Sequence, residues 1–377
     1  TQDGALNAYV SEVGMELARR THRQDMPYSF RVVNAPYVNA YAFPGGSIAC
    51  TRGIMAELDN EAELAGLLGH ELGHVNMRHT ASRMTSTLLT QAVVMGASAY
   101  VQSSGSDYAP LISGLGAIGA GALLASYSRE DEREADHLGM EYMTRAGRNP
   151  EGMVGLMEVL VAMQKKEPSA IQTMFATHPM SSERLGTAQN EVVTAYQRFR
   201  TLPFARQRYM DNTADLRRLK PALTAMQDGD KDMGQQRADR AEGDYRRALA
   251  AAPDDYAALV KMADCLVAQD KPQQAKGYAQ HAVDVYPSEP RARNSVGMCA
   301  LVARDFDIAW RAFSDYEEML PGNPTTVFYM GLSQEGMGHR GKAAEQYLRY
   351  LRQVKQGEPA QYAYNRLVDW GYIQPSG

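Results

Sequence analysis

The stretch His70-Glu71-Leu72-Gly73-His74 sets two imidazoles four residues apart with a carboxylate between them. Positions i and i+4 of a helix share a face, so both rings can reach one ion while Glu71 projects beside them toward a water. The chemistry on offer is metal-assisted hydrolysis. His70 and His74 would be ligands of one Zn2+ per chain, and Glu71 the general base. Leu64, Leu67, Leu68, Leu72 and Val75 flank the motif and predict a buried helix. Two histidines and a glutamate are costly in a core unless something pairs with them.

Catalytic zinc keeps three protein ligands and one open position, so a third ligand must come from elsewhere. The run YSREDEREADHLG, from Tyr127 to Gly139, offers Glu132 and Asp136 one helical turn apart. Glu130 and Glu134 are rival carboxylates, and helical phase sends them to the opposite side. In the gluzincin arrangement a glutamate binds zinc, and an aspartate four residues later accepts a hydrogen bond that orients a ligand histidine. Glu132 is therefore expected as the third ligand and Asp136 as the partner of His70. His79, five residues after His74, falls well round the helix and is expected at the surface or in a supporting place.

These residues need elements to hold them. A helix is expected from about Ala5 to Arg20, then short strands at Ser29 to Asn34, Val38 to Phe43 and Ser47 to Thr51, with a turn at Pro44-Gly45-Gly46. The alternation predicts a small antiparallel sheet. Asn39, Ala40 and Tyr41 mark a strand edge on which an extended substrate could lie, although Tyr41 and Phe43 serve equally well as core residues. From Asn60 the pattern turns helical and stays so to about residue 200. The apolar stretches Leu88 to Val101 and Leu111 to Tyr127 fall short of the roughly 18 to 20 residues a spanning helix needs, so a pair of buried or active-site-covering helices is expected, with contact with a membrane surface as the alternative.

HExxH followed by SRxxExxAD, with NAYAFPGGSI before it and THPMSSERL at 177 to 185, resembles the M48 metallopeptidases. The long spanning helices of membrane-embedded members are missing, so the chain resembles the soluble periplasmic branch that carries C-terminal repeats. The resemblance implies an endopeptidase of unfolded or misassembled polypeptide in the bacterial envelope, with peripheral membrane or outer-membrane protein association. It also brings an HPxxxxR segment, His178 to Arg184, close to the active site. Both residues are candidates to stabilise an oxyanion. For His178 two other readings stay open: a fourth zinc ligand that holds a latent enzyme shut, and a structural histidine before Pro179.

The C-terminal part repeats. Pro253, Pro287 and Pro321 are spaced by 34 residues, as are Ala263, Gly297 and Gly331, and Ala241, Ala275, Ala309 and Ala343. Tyr245, Ala279, Phe313 and Tyr347 take a further column. This resembles tetratricopeptide repeats, at 256–289, 290–323 and 324–357, with a degenerate repeat before them. Stacked helix pairs of this kind bind peptides or partner proteins, and a cap for the catalytic domain is the plainer alternative. The expected fold is mainly α: a zincin-like α+β metallopeptidase domain over 1–200, then an α-solenoid over 201–377. Cys265 and Cys299 share a repeat position and are expected as separate buried thiols, since packed helices sit about 8 to 10 Å apart, with a disulfide between them as the alternative.

At 377 residues and about 150 per domain, two or three domains are expected. A net charge of −5 without a basic cluster speaks against nucleic acid as a partner. No secretory leader opens the chain, and Thr1 in place of Met suggests that something has been removed. Three functions fit: a zinc endopeptidase whose repeats recruit substrate or partner, a chaperone-like or scaffold protein with a latent or idle zinc site, and a zinc hydrolase of a non-peptide substrate.

Overall fold

The computed structural model describes residues 1–83, 126–166 and 168–374. The stretch Leu88 to Val101, and Leu111 to Tyr127 except its last two residues, lie outside them. Among the described residues no helix is long and apolar enough to cross a membrane. They form two compact units, residues 1–83 with 126–227, and residues 228–374.

In the first unit α1 (Gly4–Ala18) is capped by the Asp3 side chain, which accepts from the Leu6 amide. Its buried face, Leu6, Tyr9, Val10, Val13 and Leu17, docks on the sheet, where Gly14 lies against the Phe30 ring. The sheet comprises β1 (Ser29–Val33), β2 (Ala40–Ala42) and β3 (Ser47–Thr51) in the order β1-β3-β2. It is mixed and not antiparallel throughout. β2 and β3 form the expected hairpin, with Gly46 at φ 91°, but β1 runs parallel to β3 and pairs Phe30 with Ile48. The cause is the 34–39 connection, which crosses the start of α2 (Arg52–Glu57) so closely that a Cβ on Gly53 would fall 2.2 Å from the Pro36 carbonyl. β2 is thereby carried to the far edge.

Two helices carry the candidate ligands. α3 (Glu61–Asn76) starts at Asn60, whose side chain accepts from the Glu63 amide, and is buried along its whole length. α4 (Arg129–Arg145) starts with a capping box between Ser128 and Asp131. Their backbones touch through glycines. A Cβ on Gly69 would lie 2.8 Å from the Gly139 carbonyl, one on Gly73 2.8 Å from Ala135 Cα, and one on Gly139 2.8 Å from the His70 nitrogen. Side chains elsewhere keep packed helices about 8 to 10 Å apart, so this contact is what brings a short Glu132 side chain to the histidines.

Gly139→Ala should therefore cost about 1–3 kcal/mol, as overpacking does, and lower the melting temperature by several degrees. Gly186→Ala, whose Cβ meets nothing within 4 Å in α7 (Ser182–Val193), should leave the melt unchanged or raise it slightly. Thermal denaturation of both variants checks the pair.

Between them α5 (Glu151–Lys166) and α6 (Pro168–Thr177) complete the core around α3 and lead to α7. The first unit also runs on to Gln227, beyond the boundary at residue 200 read from the sequence. Tyr209 is fully buried and donates to the Met55 carbonyl at 2.6 Å, and Arg217 donates to Leu58 at the same distance. Those bonds tie the short helices after residue 205 to the first core.

The second unit is a series of helix pairs: Tyr256–Ala268 with Pro272–Val285, Pro290–Val302 with Phe306–Met319, and Pro324–Gly336 with Arg340–Leu351. Gly297 sits under the Phe313 ring and Gly331 under the Tyr347 ring, where a Cβ would come within 2.6 Å. Gly229 sits the same way under Tyr245, which supplies the first-helix member of the degenerate repeat. Small against aromatic thus sets the closeness of three pairs, whereas the pair Tyr256–Ala268 with Pro272–Val285 has Ala263 and Ala279 in the same columns. Cys265 and Cys299 are buried free thiols.

Candidate metal centre

α3 turns His70, Glu71 and His74 into the interior, and α4 brings Glu132 and Asp136 against them. His70 Nδ1 meets Asp136 Oδ1 at 2.8 Å, so its Nε2 faces inward, 3.0 Å from His74 Nε2. Glu132 lies across from both rings, with Oε1 3.4 Å from His74 Nε2 and Oε2 3.8 Å from His70 Nε2. His178, just past the end of α6, completes the group: its Nδ1 stands 3.0 Å from Glu132 Oε1 and 3.3 Å from His70 Nε2. One ligand atom from each of these four buried residues lies within 4.8 Å of all the others.

The donor set suits zinc, which takes imidazole nitrogens and a carboxylate in four-coordinate sites. A second observation agrees. Both carboxylate oxygens of Glu71 are buried with no hydrogen-bond partner among the described residues, and His178 Nε2 is 3.8 Å from Oε1. An orphaned buried carboxylate is destabilising by itself, and beside a hydrolytic metal it has a use.

The electrostatics follow the burial. Burial pushes the Glu71 carboxyl above its ordinary range, which makes it a stronger proton acceptor than a free carboxylate. Burial likewise holds His74 far below the usual histidine range, so its ring is neutral, as a ligand must be. For His70, burial works against charge, but the Asp136 hydrogen bond and the Glu132 charge outweigh it and raise its pKa.

Arg184, on α7, differs from the expectation of an oxyanion donor. Its Nε and Nη2 donate to Asp136 at 2.6 and 2.7 Å, and its Nη1 donates to Glu132 and to the Pro179 carbonyl. A guanidinium spent on two carboxylates and a carbonyl has little left to offer a substrate. It works as a clamp: despite burial, the Arg184 charge keeps Asp136 below the ordinary carboxyl range. Among the sequence candidates, then, His70, His74, Glu132, His178, Glu71, Asp136 and Arg184 converge on one point.

Ala40 and Tyr41 lie on β2, at the sheet edge, and Asn39 directly precedes it. The Phe43 to Ser47 and Thr51 to Asn39 backbone bonds fix the alternation, so Ala40 and Ala42 direct their backbone groups outward. Two of these are already taken: Ala40 N–H donates to Asn39 Oδ1 at 2.9 Å, and Ala42 C=O accepts from Thr80 Oγ1 at 3.1 Å. Tyr41 is half-buried and donates to the Tyr37 hydroxyl.

Sequence reasoning passed over Tyr127 and Thr80. The Tyr127 ring stacks on His74 with centroids 3.7 Å apart, its hydroxyl is 2.7 Å from Thr80 Oγ1, and Arg83 covers its other face. Only the place of Tyr127 directly before the SRxxExxAD run hinted at this.

Residues 5–192 match Peptidase family M48, and residues 232–299 match a tetratricopeptide repeat. The chain is 32% identical over 192 residues to the beta-barrel assembly-enhancing protease of Yersinia pestis, covering 50% of this chain and 39% of that one. It is 35% identical over 158 residues to Metalloprotease YcaL of Escherichia coli, covering 42% and 59%. It is 29% identical over 177 residues to the mitochondrial metalloendopeptidase OMA1 of Schizosaccharomyces pombe, covering 47% and 50%. The chain thus spans between 39% and 59% of these relatives' own lengths.

Proposed function

Because residues 5–192 belong to peptidase family M48 and tetratricopeptide repeats follow them, we propose that this metalloprotease is a zinc endopeptidase of gluzincin type, held latent at rest by His178. The observation that carries the reading is the convergence of His70, His74, Glu132 and His178 beside Glu71, whose carboxylate has no hydrogen-bond partner among the described residues. Bound zinc supplies Lewis acidity that polarises a scissile carbonyl and makes water nucleophilic near neutral pH. The chain's residues do the rest. Glu71 takes the water's proton and passes it to the leaving amine; Asp136, gripped by Arg184, fixes the His70 ring with Nε2 inward. His178 sits within the ligand group, and were zinc bound there it would have to withdraw to leave a place for water.

The substrate in this reading is unfolded or misassembled polypeptide, lying along β2 beside Asn39, Ala40 and Tyr41. Only a segment without secondary structure of its own has backbone groups free to pair with a strand edge. The repeats recruit that polypeptide or a partner protein. The bacterial envelope is the proposed location, because relatives named for enhancing β-barrel assembly point there.

Incubation with a denatured polypeptide and with its folded form tests the reading. Slow cleavage of the denatured form alone is expected, lost on chelation and restored by one equivalent of zinc. Cleavage that survives chelation sinks the proposal.

A further inference from the structure

We infer that His79 is a positioning residue for the metal centre, fixing the tautomer and orientation of His74 as Asp136 does for His70; this rests on the zinc assignment above. The geometry leaves one consistent placement of hydrogens. His74 Nε2 faces the other candidate ligands, 3.0 Å from His70 Nε2 and 3.4 Å from Glu132 Oε1. A neutral imidazole that gives the Nε2 lone pair to a metal carries its one hydrogen on Nδ1. His74 Nδ1 lies 2.9 Å from His79 Nδ1, so that atom must be the acceptor. The hydrogen of a neutral His79 then sits on Nε2, where Glu134 Oε2 is 3.0 Å away and Asp131 Oδ1 3.4 Å. Each ring has one donor and one acceptor, and each is matched.

The backbone is built to allow this. α3 stops at Asn76, and Arg78 adopts φ 62°, the left-handed region, which turns the chain back so that buried His79 faces His74 from beyond the helix end. A non-glycine residue held there is strained, and the contacts of His79 and Thr80 are what the turn secures. His79 also ties α3's end to α4, because its two carboxylate partners sit on the first turns of α4. The two histidine ligands are thus oriented differently. His70 leans on a charged Asp136 clamped by Arg184, and His74 leans on a neutral ring one step from its carboxylate.

Zinc affinity by chelator competition, with zinc content and melting of the metal-free protein, tests this. His79→Ala is expected to bind zinc about 10–100-fold more weakly than wild type, the usual loss when a ligand's hydrogen-bond partner is removed. His79→Asn, whose Oδ1 occupies the place of Nδ1, is expected to recover most of that affinity. Equal affinity in wild type and His79→Ala overturns the inference, as does an equal loss in both variants, which would mark His79 as packing alone. A wild-type protein that binds no zinc refutes the metal assignment instead, and so separates the two failures.

Discussion

Glu71→Gln should lower turnover on an unfolded polypeptide by about 10²–10⁴-fold, the range lost with a positioned general base, while zinc binding stays near wild type. The two effects separate because Glu71 is not among the four converging ligands, although its neighbour His70 is. Glutamine keeps the shape of the side chain but cannot accept the water's proton. The metal-free variant should also melt no lower than wild type. The Glu71 carboxylate is fully buried with no hydrogen-bond partner among the described residues, and a neutral amide there escapes the cost of burying a charge. Loss of cleavage at constant or greater stability is the mark of a catalytic group. If the variant still processes a client protein, the peptidase reading fails and the repeats are left with a binding role. If processing disappears while the variant still captures its partner, the chain is an enzyme that also docks.

Much of this site is legible in the sequence because its chemistry imposes local spacing. HExxH must place two rings on one helical face, and Glu132 with Asp136 must stand one turn apart to reach the metal and a ligand ring together. What the spacing could not carry are contacts made after an element ends. Helical phase extended past His74 leaves His79 either at the surface or in a supporting place, and only the end of α3 at Asn76 with the reversal at Arg78 shows it buried against His74. Arg184 was visible in the HPxxxxR segment, but its role depends on where α7 lies against α4. The sheet shows the same limit: alternation marks strands, whereas the parallel pairing of β1 with β3 follows from the path of 34–39 over Gly53. In the repeats, the 34-residue columns of small and aromatic residues reveal the helix pairs. The left-handed turns at Gln236, Asp270, Arg304 and Gly338 keep the same period, and only the last is announced by a glycine.

His178→Ala should raise resting cleavage of an unfolded polypeptide about tenfold or more. The sign is the argument. As a donor to an oxyanion, His178 would be needed in the transition state, and its removal would lower turnover by about 10²–10³-fold. As a ligand-like ring it competes with water for the same place, and its removal frees that place at rest. The structure favours the second: His178 Nδ1 lies 3.0 Å from Glu132 Oε1 and 3.3 Å from His70 Nε2, inside the ligand group itself. A tenfold rise corresponds to a closed state favoured by only about 1.4 kcal/mol, within reach of a partner or substrate that binds the open state better. The segment that would have to move is tied at His178 and on either side of it. The His178 amide donates to Met174, the Tyr127 amide donates to Thr177, and the Pro179 carbonyl accepts from Arg184. Tyr127 also stacks on His74. Tyr127 is joined in turn through Thr80 to the Ala42 carbonyl on β2, so a withdrawal of His178 would reach that strand as well. Activity measured with and without His178, on the same denatured polypeptide, distinguishes a latch from a catalytic donor by direction alone.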